Sequence, residues 1–393
     1  MNYMIPYGRQ NISQEDIDAV VSVLRSDFLT QGPMVPKFEK LMLGRCKVKY
    51  ATATNSATSA LHIACLALGI GKDDIVWTSP ISFVASANCA LYCGAIVDFV
   101  DIDPRTYNMS VEKLSEKLEL AEKKGKLPKV VIPVHFAGQS CEMKQIYALS
   151  LKYGFKIIED ASHAIGGRYL EEPVGNCKFS DITILSFHPV KIITTGEGGM
   201  ALTNDLELHN KMYRLRSHGI TRNPIEMTHA PDGPWYYQQL ELGYNYRMTD
   251  IQAALGISQL SRLDDFVMKR HEILKIYNEL LADKPVIIPW QHPDVYSGLH
   301  LYVIRLKLNE MRESHIQIFE RLRSAGILVN LHYIPIYRQP YYAKMGYDKS
   351  DFPESEAYYK EAISIPIFPG LKKEEQFEVV ERLMKPIGHQ TLF

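Results

Sequence analysis

The sequence predicts an α/β protein, with a mostly parallel sheet in a large domain and a smaller α+β domain behind it. Three observations carry this. Short apolar runs rich in β-branched residues alternate with helical periods through the first 260 or so residues. The pattern then turns wholly helical over about 249 to 282, and a second, shorter set of strands and helices follows. At 393 residues the chain exceeds what one hydrophobic core usually serves. The boundary is placed near 262, giving a large domain 1–262 with an N-terminal arm and a smaller domain 263–393.

The elements follow in order. "SQEDIDAVVSVL" opens on Ser13 with Asp16 three residues on, the pattern of a capping box, and sets Ile17, Val20, Val21 and Leu24 on one helical face. "ATSALHIACLALGIG" repeats that spacing and ends on glycine. Strands are expected in "DIVWT" (74–78), "AIVDFVDID" (95–103), "KVVIPV" (129–134), "FKIIED" (155–160) and "ITILSF" (182–187). Helices from 110 and 142 separate several of them, which calls for right-handed crossovers and ligand binding beyond the carboxyl ends of the strands. Beyond the helical bridge, "HLYVIRLKL", "SHIQIFERLRSAG", "ILVNLHYIPIY" and a last helix from about 373 make the smaller unit.

Composition excludes several function classes. Lysine plus arginine (44) nearly cancels aspartate plus glutamate (45), so no global field draws in nucleic acid or an anionic membrane. "MNYMIPYGRQ" lacks the parts of a signal peptide and no apolar run reaches the roughly 18 residues of a membrane span, so a cytoplasmic protein is expected. The six cysteines form no Cys-x-x-Cys pair, which argues against a zinc site or a disulfide framework, and no metal is expected. Cys89 and Cys93, one helical turn apart in "ANCALYCGA", read as helix packing. There is no Walker loop, and "GEGG" at 196–199 is not a dinucleotide fingerprint. Ser186 and His188 would share a strand face, but no nucleophile elbow surrounds them, which leaves a hydrolase weakly supported.

Three features converge in type. "NSATSALH" puts Ser56 and Thr58 at a helix start, where free N–H groups and the helix dipole suit a phosphate. "IIED" ends a strand on Glu159 and Asp160, with His163 in the next turn, and Lys191 follows the "ITILSF" strand. Each alone has an ordinary reading as a cap, a salt bridge or a solvated lysine. Together they meet the needs of pyridoxal 5′-phosphate: an amine for its aldehyde, an anion for its ring nitrogen, and donors for its phosphate.

The segments "NSATSALH", "PISFVASANCALYCGA", "VDID", "EDASHAIGG", "SFHPVKIITTGEGG", "RSHGI", "GYNYRMTDIQAALG" and "LHYIPIY" resemble, in order and over nearly the whole chain, the DegT/DnrJ/EryC1/StrS sugar aminotransferases. The resemblance implies the pyridoxal-phosphate-dependent transferase fold type I, the architecture of aspartate aminotransferase. It implies that Lys191 holds the cofactor covalently, Asp160 faces its ring nitrogen, His163 lies beside the ring and Phe83 stacks on it. Ala57, Thr58 and Ser186 would bind the phosphate, and Asn245 would reach phosphate or substrate from the neighbouring subunit of a homodimer. Tyr7, Asp27, Phe28, Leu29, Thr30, His332, Tyr333, Ile334 and Pro335, together with Ala57, Ser186 and Asn245, would line the substrate site. Similar enzymes read "HYKP" where this chain has Ile334.

The expected reaction moves an amino group from glutamate, leaving 2-oxoglutarate, to the 4-keto group of a UDP-linked 6-deoxy-N-acetylhexosamine of the pseudaminic acid type. Alternatives are another nucleotide-linked 4-ketosugar, such as the GDP-perosamine or UDP-4-amino-arabinose type, or a non-enzymatic binding or regulatory protein. A sugar dehydratase ranks lower, because a histidine replaces the lysine in those relatives and Lys191 is present here. His188 receives no role.

Overall fold

A computed structural model of the chain describes residues 4–385; the first three and last eight residues of the two expected domains lie outside it. Seven strands form the main sheet: β1 (Tyr50–Thr54), β2 (Ile75–Thr78), β3 (Ile96–Phe99), β4 (Val130–Ile132), β5 (Lys156–Asp160), β6 (Ile182–Ser186) and β7 (Gly199–Thr203). They lie in the order β1-β7-β6-β5-β4-β2-β3. Strands β6, β5, β4, β2 and β3 pair in parallel, and only β7 runs against its neighbours β1 and β6. Both faces are covered, which is why the strands read as unbroken apolar runs rather than alternating ones. Ile158, Ile182 and Ile184 pack with the helices Ala57–Ala67 and Ala85–Tyr92 on one side, while Leu185 and Met200 face Phe38 and Met42 on the other.

The first helix, Gln14–Leu24, has the expected Ser13–Asp16 capping box, but its apolar stripe is not the face it buries. Ile17 and Leu24 are 47% and 54% exposed, whereas Asp16 is fully buried. Its carboxylate is claimed by Arg262 and by Gln259 Nε2 at 2.7 Å, so a polar contact, rather than the apolar stripe, turns this helix onto the chain. Five of the seven strands, β2 to β6, match the expected runs to within a few residues, whereas β1 and β7 match none; the strand expected to reach Phe187 stops at Ser186.

The smaller unit holds β8 (Val286–Ile287), β9 (Tyr302–Leu306) and β10 (Ala362–Ile365), paired antiparallel. The helix Leu263–Leu281 joins the two units. Its first turns place Leu263, Phe266 and Val267 in the core beneath the main sheet, and its last turns place Ile273, Tyr277 and Leu281 against Tyr302 and Ile304. The N-terminal arm belongs with this second core: Ile5–Pro6 pairs in parallel with Ile327–Leu328, and Ile5 is buried there. Residues 336–355 return to the large sheet. Ile336 N–H donates to Pro80 O at 3.0 Å, aromatic rings from Tyr337 to Phe352 surround Phe99, and Asp101 accepts the N–H groups of Glu354 and Ser355. No helix among the described residues is long and apolar enough to cross a membrane.

One register positions the site. Gly199, the first residue of β7, lies opposite both Ser186, the last of β6, and Thr54, the last of β1. A Cβ on Gly199 would sit 2.4 Å from Ala57 N and 2.5 Å from Ser56 C, both backbone atoms. The glycine therefore lets the helix start at Ala57 settle against the sheet edge beside Ser186. Gly199→Ala is expected to lower stability by about 1–3 kcal/mol, because backbone must shift. A urea midpoint unchanged from wild type would refute the close approach.

Candidate active site

The chemistry-bearing residues gather where the parallel strands end. Asp160 is the last residue of β5 and is 4% exposed. Its two oxygens are held apart from one another: Oδ2 accepts Ser86 Oγ–H at 2.7 Å, while Oδ1 accepts Ser162 N–H at 3.1 Å and Ser162 Oγ–H at 2.6 Å. Ser86 is itself linked to Ser82 Oγ at 2.7 Å. A buried carboxylate with three donors is fixed in place. Neighbouring Glu159 points to the other face, as strand alternation requires, and bonds His135, Ser180 and Thr183.

Lys191 stands in the turn that follows β6. Its N–H donates to His188 O, and the base of the turn is closed by Phe187 N–H to Gly198 O and Thr195 N–H to Phe187 O. Buried Phe187, Ile192 and Ile193 anchor the turn on both sides of the lysine. Burial disfavours the ammonium form and pushes the lysine pKa down to about 8, against the pull of the Asp160 carboxylate. At pH 8 about half of this lysine is free amine, against roughly 1 in 250 for an ordinary one. The strand ends before His188, so the expected pairing of Ser186 and His188 on one face does not arise; Ser186 is buried and His188 is exposed, 4.0 Å from Glu197.

His163 follows in the turn after β5. Its Nε2 lies 3.1 Å from Tyr333 OH and its ring centre 4.4 Å from that of His300. Burial, then the charge on Lys191, holds the pKa of His163 and His300 well below the usual histidine range, and His332 is brought to about 3 by the same causes. Three histidines therefore face Lys191 uncharged at neutral pH. Tyr7 packs on His332 with ring centres 4.9 Å apart, and the Ile336–Pro80 bond keeps the His332–Pro335 segment over the loop bearing Phe83. Phe83 is 58% exposed and its ring centre is 6.2 Å from that of Tyr333.

At the helix start, Ser56 Oγ takes the Ser59 N–H and Ser56 O takes the Ala60 N–H. This leaves the N–H groups of Ala57 and Thr58 for a ligand, as at any helix N-terminus. Asn245 is exposed on a neighbouring segment; its carbonyl lies 3.5 Å from the side-chain nitrogen of Asn55 in the same chain, and Tyr246 O accepts Asn55 N–H. Asp27, Phe28, Leu29 and Thr30 are exposed, on a segment pinned to the start of the helix Asp250–Leu260 by Asp250 N–H to Leu29 O and by a Thr30–Thr249 bridge. Gln252 on that helix donates to Glu197 O, beside the lysine turn. Ile334 is 44% exposed.

These groups fit pyridoxal phosphate. A depressed lysine and a fixed carboxylate share one cleft, an apolar ring is left open to it, two helix N–H groups stand beside Ser186, and His163 Nδ1 is a buried atom without a protein partner. Ser86, Ser162, Gly199 and His300 were not anticipated. Ser162 lies two residues from Asp160 and Ser86 one helical turn from Ser82, spacings that could have marked them; nothing local marks Gly199 or His300. A separate cavity of about 460 Å³, lined by residues including Arg45, Lys47, Arg168, Asp264 and Tyr296, carries none of this chemistry. Two of its cations are already paired, Arg45 with Asp264 and Lys47 with Glu172.

Comparison with known proteins agrees. A sequence profile of the DegT/DnrJ/EryC1/StrS aminotransferase family matches residues 10–384. The UDP-4-amino-4,6-dideoxy-N-acetyl-beta-L-altrosamine transaminase of Campylobacter jejuni is 39% identical over 391 residues, 97% of this chain and 99% of that one. The solved structure of Helicobacter pylori PseC, an aminotransferase involved in the biosynthesis of pseudoaminic acid, is 31% identical with a TM-score of 0.86, covering 97% and 98% of the two chains. The PLP-form of the putative sugar aminotransferase Spr1654 from Streptococcus pneumoniae has the same TM-score, 0.86, at 27% identity, covering 97% and 98%. The chain belongs to the DegT/DnrJ/EryC1/StrS family and is a pyridoxal-phosphate-dependent sugar aminotransferase.

The lysine's depressed pKa has a sign that can be read. Cofactor uptake by apoprotein needs the free amine, so its rate should rise with pH and reach half its plateau near 8. Asp160 favours the ammonium form, so Asp160→Asn should move the inflection to lower pH. Stopped-flow absorbance would measure both; an inflection near that of an ordinary lysine would contradict the burial argument.

Proposed function

We propose that this member of the family transfers an amino group from glutamate to C4 of UDP-2-acetamido-2,6-dideoxy-β-L-arabino-hex-4-ulose, giving UDP-4-amino-4,6-dideoxy-N-acetyl-β-L-altrosamine. The observation that carries the substrate is the 39% identity, along 97% of the chain, to a relative bearing that product's name. A cytoplasmic location suits a nucleotide-sugar substrate made there.

Pyridoxal phosphate supplies an electrophilic carbonyl and an electron-withdrawing ring that acidifies the Cα–H of an attached amine. The chain's residues supply the rest. Lys191 would hold the cofactor, and its free amine, of pKa about 8, would be a base able to take a proton from the donor Cα and deliver one to sugar C4. Asp160, clamped by Ser86 and Ser162, is the anion for the ring nitrogen. The N–H groups of Ala57 and Thr58, with Ser186, would receive the phosphate, and Phe83 and His163 would lie against the ring. Uncharged His163, His300 and His332 leave Lys191 as the group that changes protonation during the cycle. Tyr7, the 27–30 segment and His332–Pro335 form the sugar-nucleotide side. Ile334 stands where similar enzymes carry lysine, which favours as a second reading another nucleotide-linked 4-ketosugar.

The working unit is a homodimer. Residues 222–246 leave Ile225 92%, Trp235 74% and Leu242 79% exposed, and this apolar arm ends at Asn245. A second copy would cover the arm and receive Asn245 in its phosphate site.

Purified enzyme given glutamate and a panel of UDP- and GDP-linked 4-ketosugars should aminate the UDP-N-acetyl 6-deoxy ketosugar best, with the product read by mass and NMR. Equal or better turnover of a GDP-linked or pentose substrate would overturn the substrate assignment, and Lys191→Ala should abolish both turnover and the borohydride-sensitive visible band. In mixed dimers of Lys191→Ala with Asn245→Ala chains, one site regains both intact residues if Asn245 acts across the interface. Absence of any recovered activity in proven heterodimers would refute the shared site.

A further inference from the structure

Behind the cleft lies a buried cation to which the site described above gives no task. Arg270, on the helix Leu263–Leu281, is 1% exposed, and burial lowers its pKa to about 10, so it stays charged at neutral pH, with no ion pair to a carboxylate among the described residues. Its Nη1 instead reaches three backbone carbonyls: Leu299 O at 3.1 Å, His300 O at 3.3 Å and Ile367 O at 3.1 Å. A buried guanidinium without a carboxylate is costly to desolvate, and here the three carbonyls offset that cost, so the charge ties the helix to the segments that carry them.

The carbonyls belong to segments that support the cleft. Ile367 N–H donates to Tyr7 O at 2.9 Å, and Tyr7 packs on His332. Leu299 has φ of +50°, a left-handed conformation that a branched side chain adopts only when its surroundings compel it. The Leu299 N–H is satisfied by Ser297 Oγ at 3.0 Å and its carbonyl by Arg270, so the turn is held from both sides. This turn is packed tightly: a Cβ on Gly138 would lie 2.7 Å from Leu299 N, 3.0 Å from His300 N and 2.9 Å from His163 O. From it the His300 ring projects to within 4.4 Å of the His163 ring, centre to centre, and Tyr333 OH lies 3.1 Å from His163 Nε2. His163 is thus braced by Tyr333 and by His300, and His300 is placed by Arg270.

We propose that Arg270 is a positioning residue for the cofactor pocket: by holding the 299–300 turn it seats His300 as the brace that fixes the His163 ring beside the cofactor. Its guanidinium does not touch the cofactor. The plainer role, fastening the helix to the smaller unit, would make Arg270 matter for folding alone. The proposal rests on His163 lying beside bound pyridoxal phosphate.

A double-mutant cycle on cofactor affinity separates the two roles. Apoprotein of the full chain is prepared as wild type, Arg270→Lys, His163→Ala and the double variant, and the dissociation constant for pyridoxal 5′-phosphate is measured by equilibrium dialysis alongside thermal melting. Lysine keeps the charge, but its amine ends one bond short of the position from which Nη1 reaches all three carbonyls. Arg270→Lys is expected to weaken binding about tenfold in the wild-type background and less than about twofold in the His163→Ala background, the signature of coupled residues. Equal losses in both backgrounds, or no loss at all, would overturn the proposal. Should Arg270→Lys fail to fold, His300→Asn replaces it in the same cycle, with the same outcomes. Wild-type protein that binds no cofactor would overturn the underlying reading and the proposal with it; a wild type that binds while the cycle is additive overturns the proposal alone.

Discussion

The register at the head of β7 is the constraint on which the site depends. Ser186, Gly199 and Thr54 lie abreast, so the ends of β6 and β1 are brought within one antiparallel strand of each other. The helix that begins at Ala57 can approach this edge only because position 199 has no Cβ. This brings the free N–H groups at that helix start to the edge that carries Ser186, as the proposed phosphate site requires, and the turn after β6 carries Lys191. A phosphate bound there would set the distance from that site to the lysine, and with it the position of everything attached to the cofactor.

Charge in the cleft is sparing. Asp160 is the anion, satisfied by two serines, and Lys191 is the cation it acts on, weakened by burial to a pKa of about 8. Around them the histidines stay neutral for the same reason that the lysine is weakened: little water reaches them to support a charge. Arg270 lies one layer further back, where its charge is met by carbonyl dipoles rather than by a carboxylate. A cleft so arranged can host a proton that shuttles on one amine without other groups competing for it.

The legible parts of this protein were those whose signal is local. Strand runs, the Ser13 box, the glycine that ends the helix at Ala67 and the helical bridge could be placed from periodicity and capping because each depends on residues within a turn or two. Asp160 and Lys191 were legible because both lie at or just after strand ends. The first helix shows the limit: its periodicity marked a helix but not which face is buried, because Asp16 meeting Arg262, nearly 250 residues away, turns a polar face inward. His188 failed for a similar reason, since alternation extends only as far as the strand does. The boundary near 262 is softer than a cut, for one continuous helix serves both cores.

What the sequence alone determined was the class of chemistry and the family, because short ordered motifs carry the reactive groups and a family resemblance follows from their order. What only the tertiary structure decided was how those groups are held. Ser86 and Ser162 on Asp160, Gly199 beneath Ala57, and the chain from Arg270 through His300 to His163 join residues from 2 to more than 140 positions apart. No periodicity records such contacts. They arise when the strands take their order in the sheet and burial removes the water that would otherwise satisfy each polar group, leaving each to find its partner within the fold.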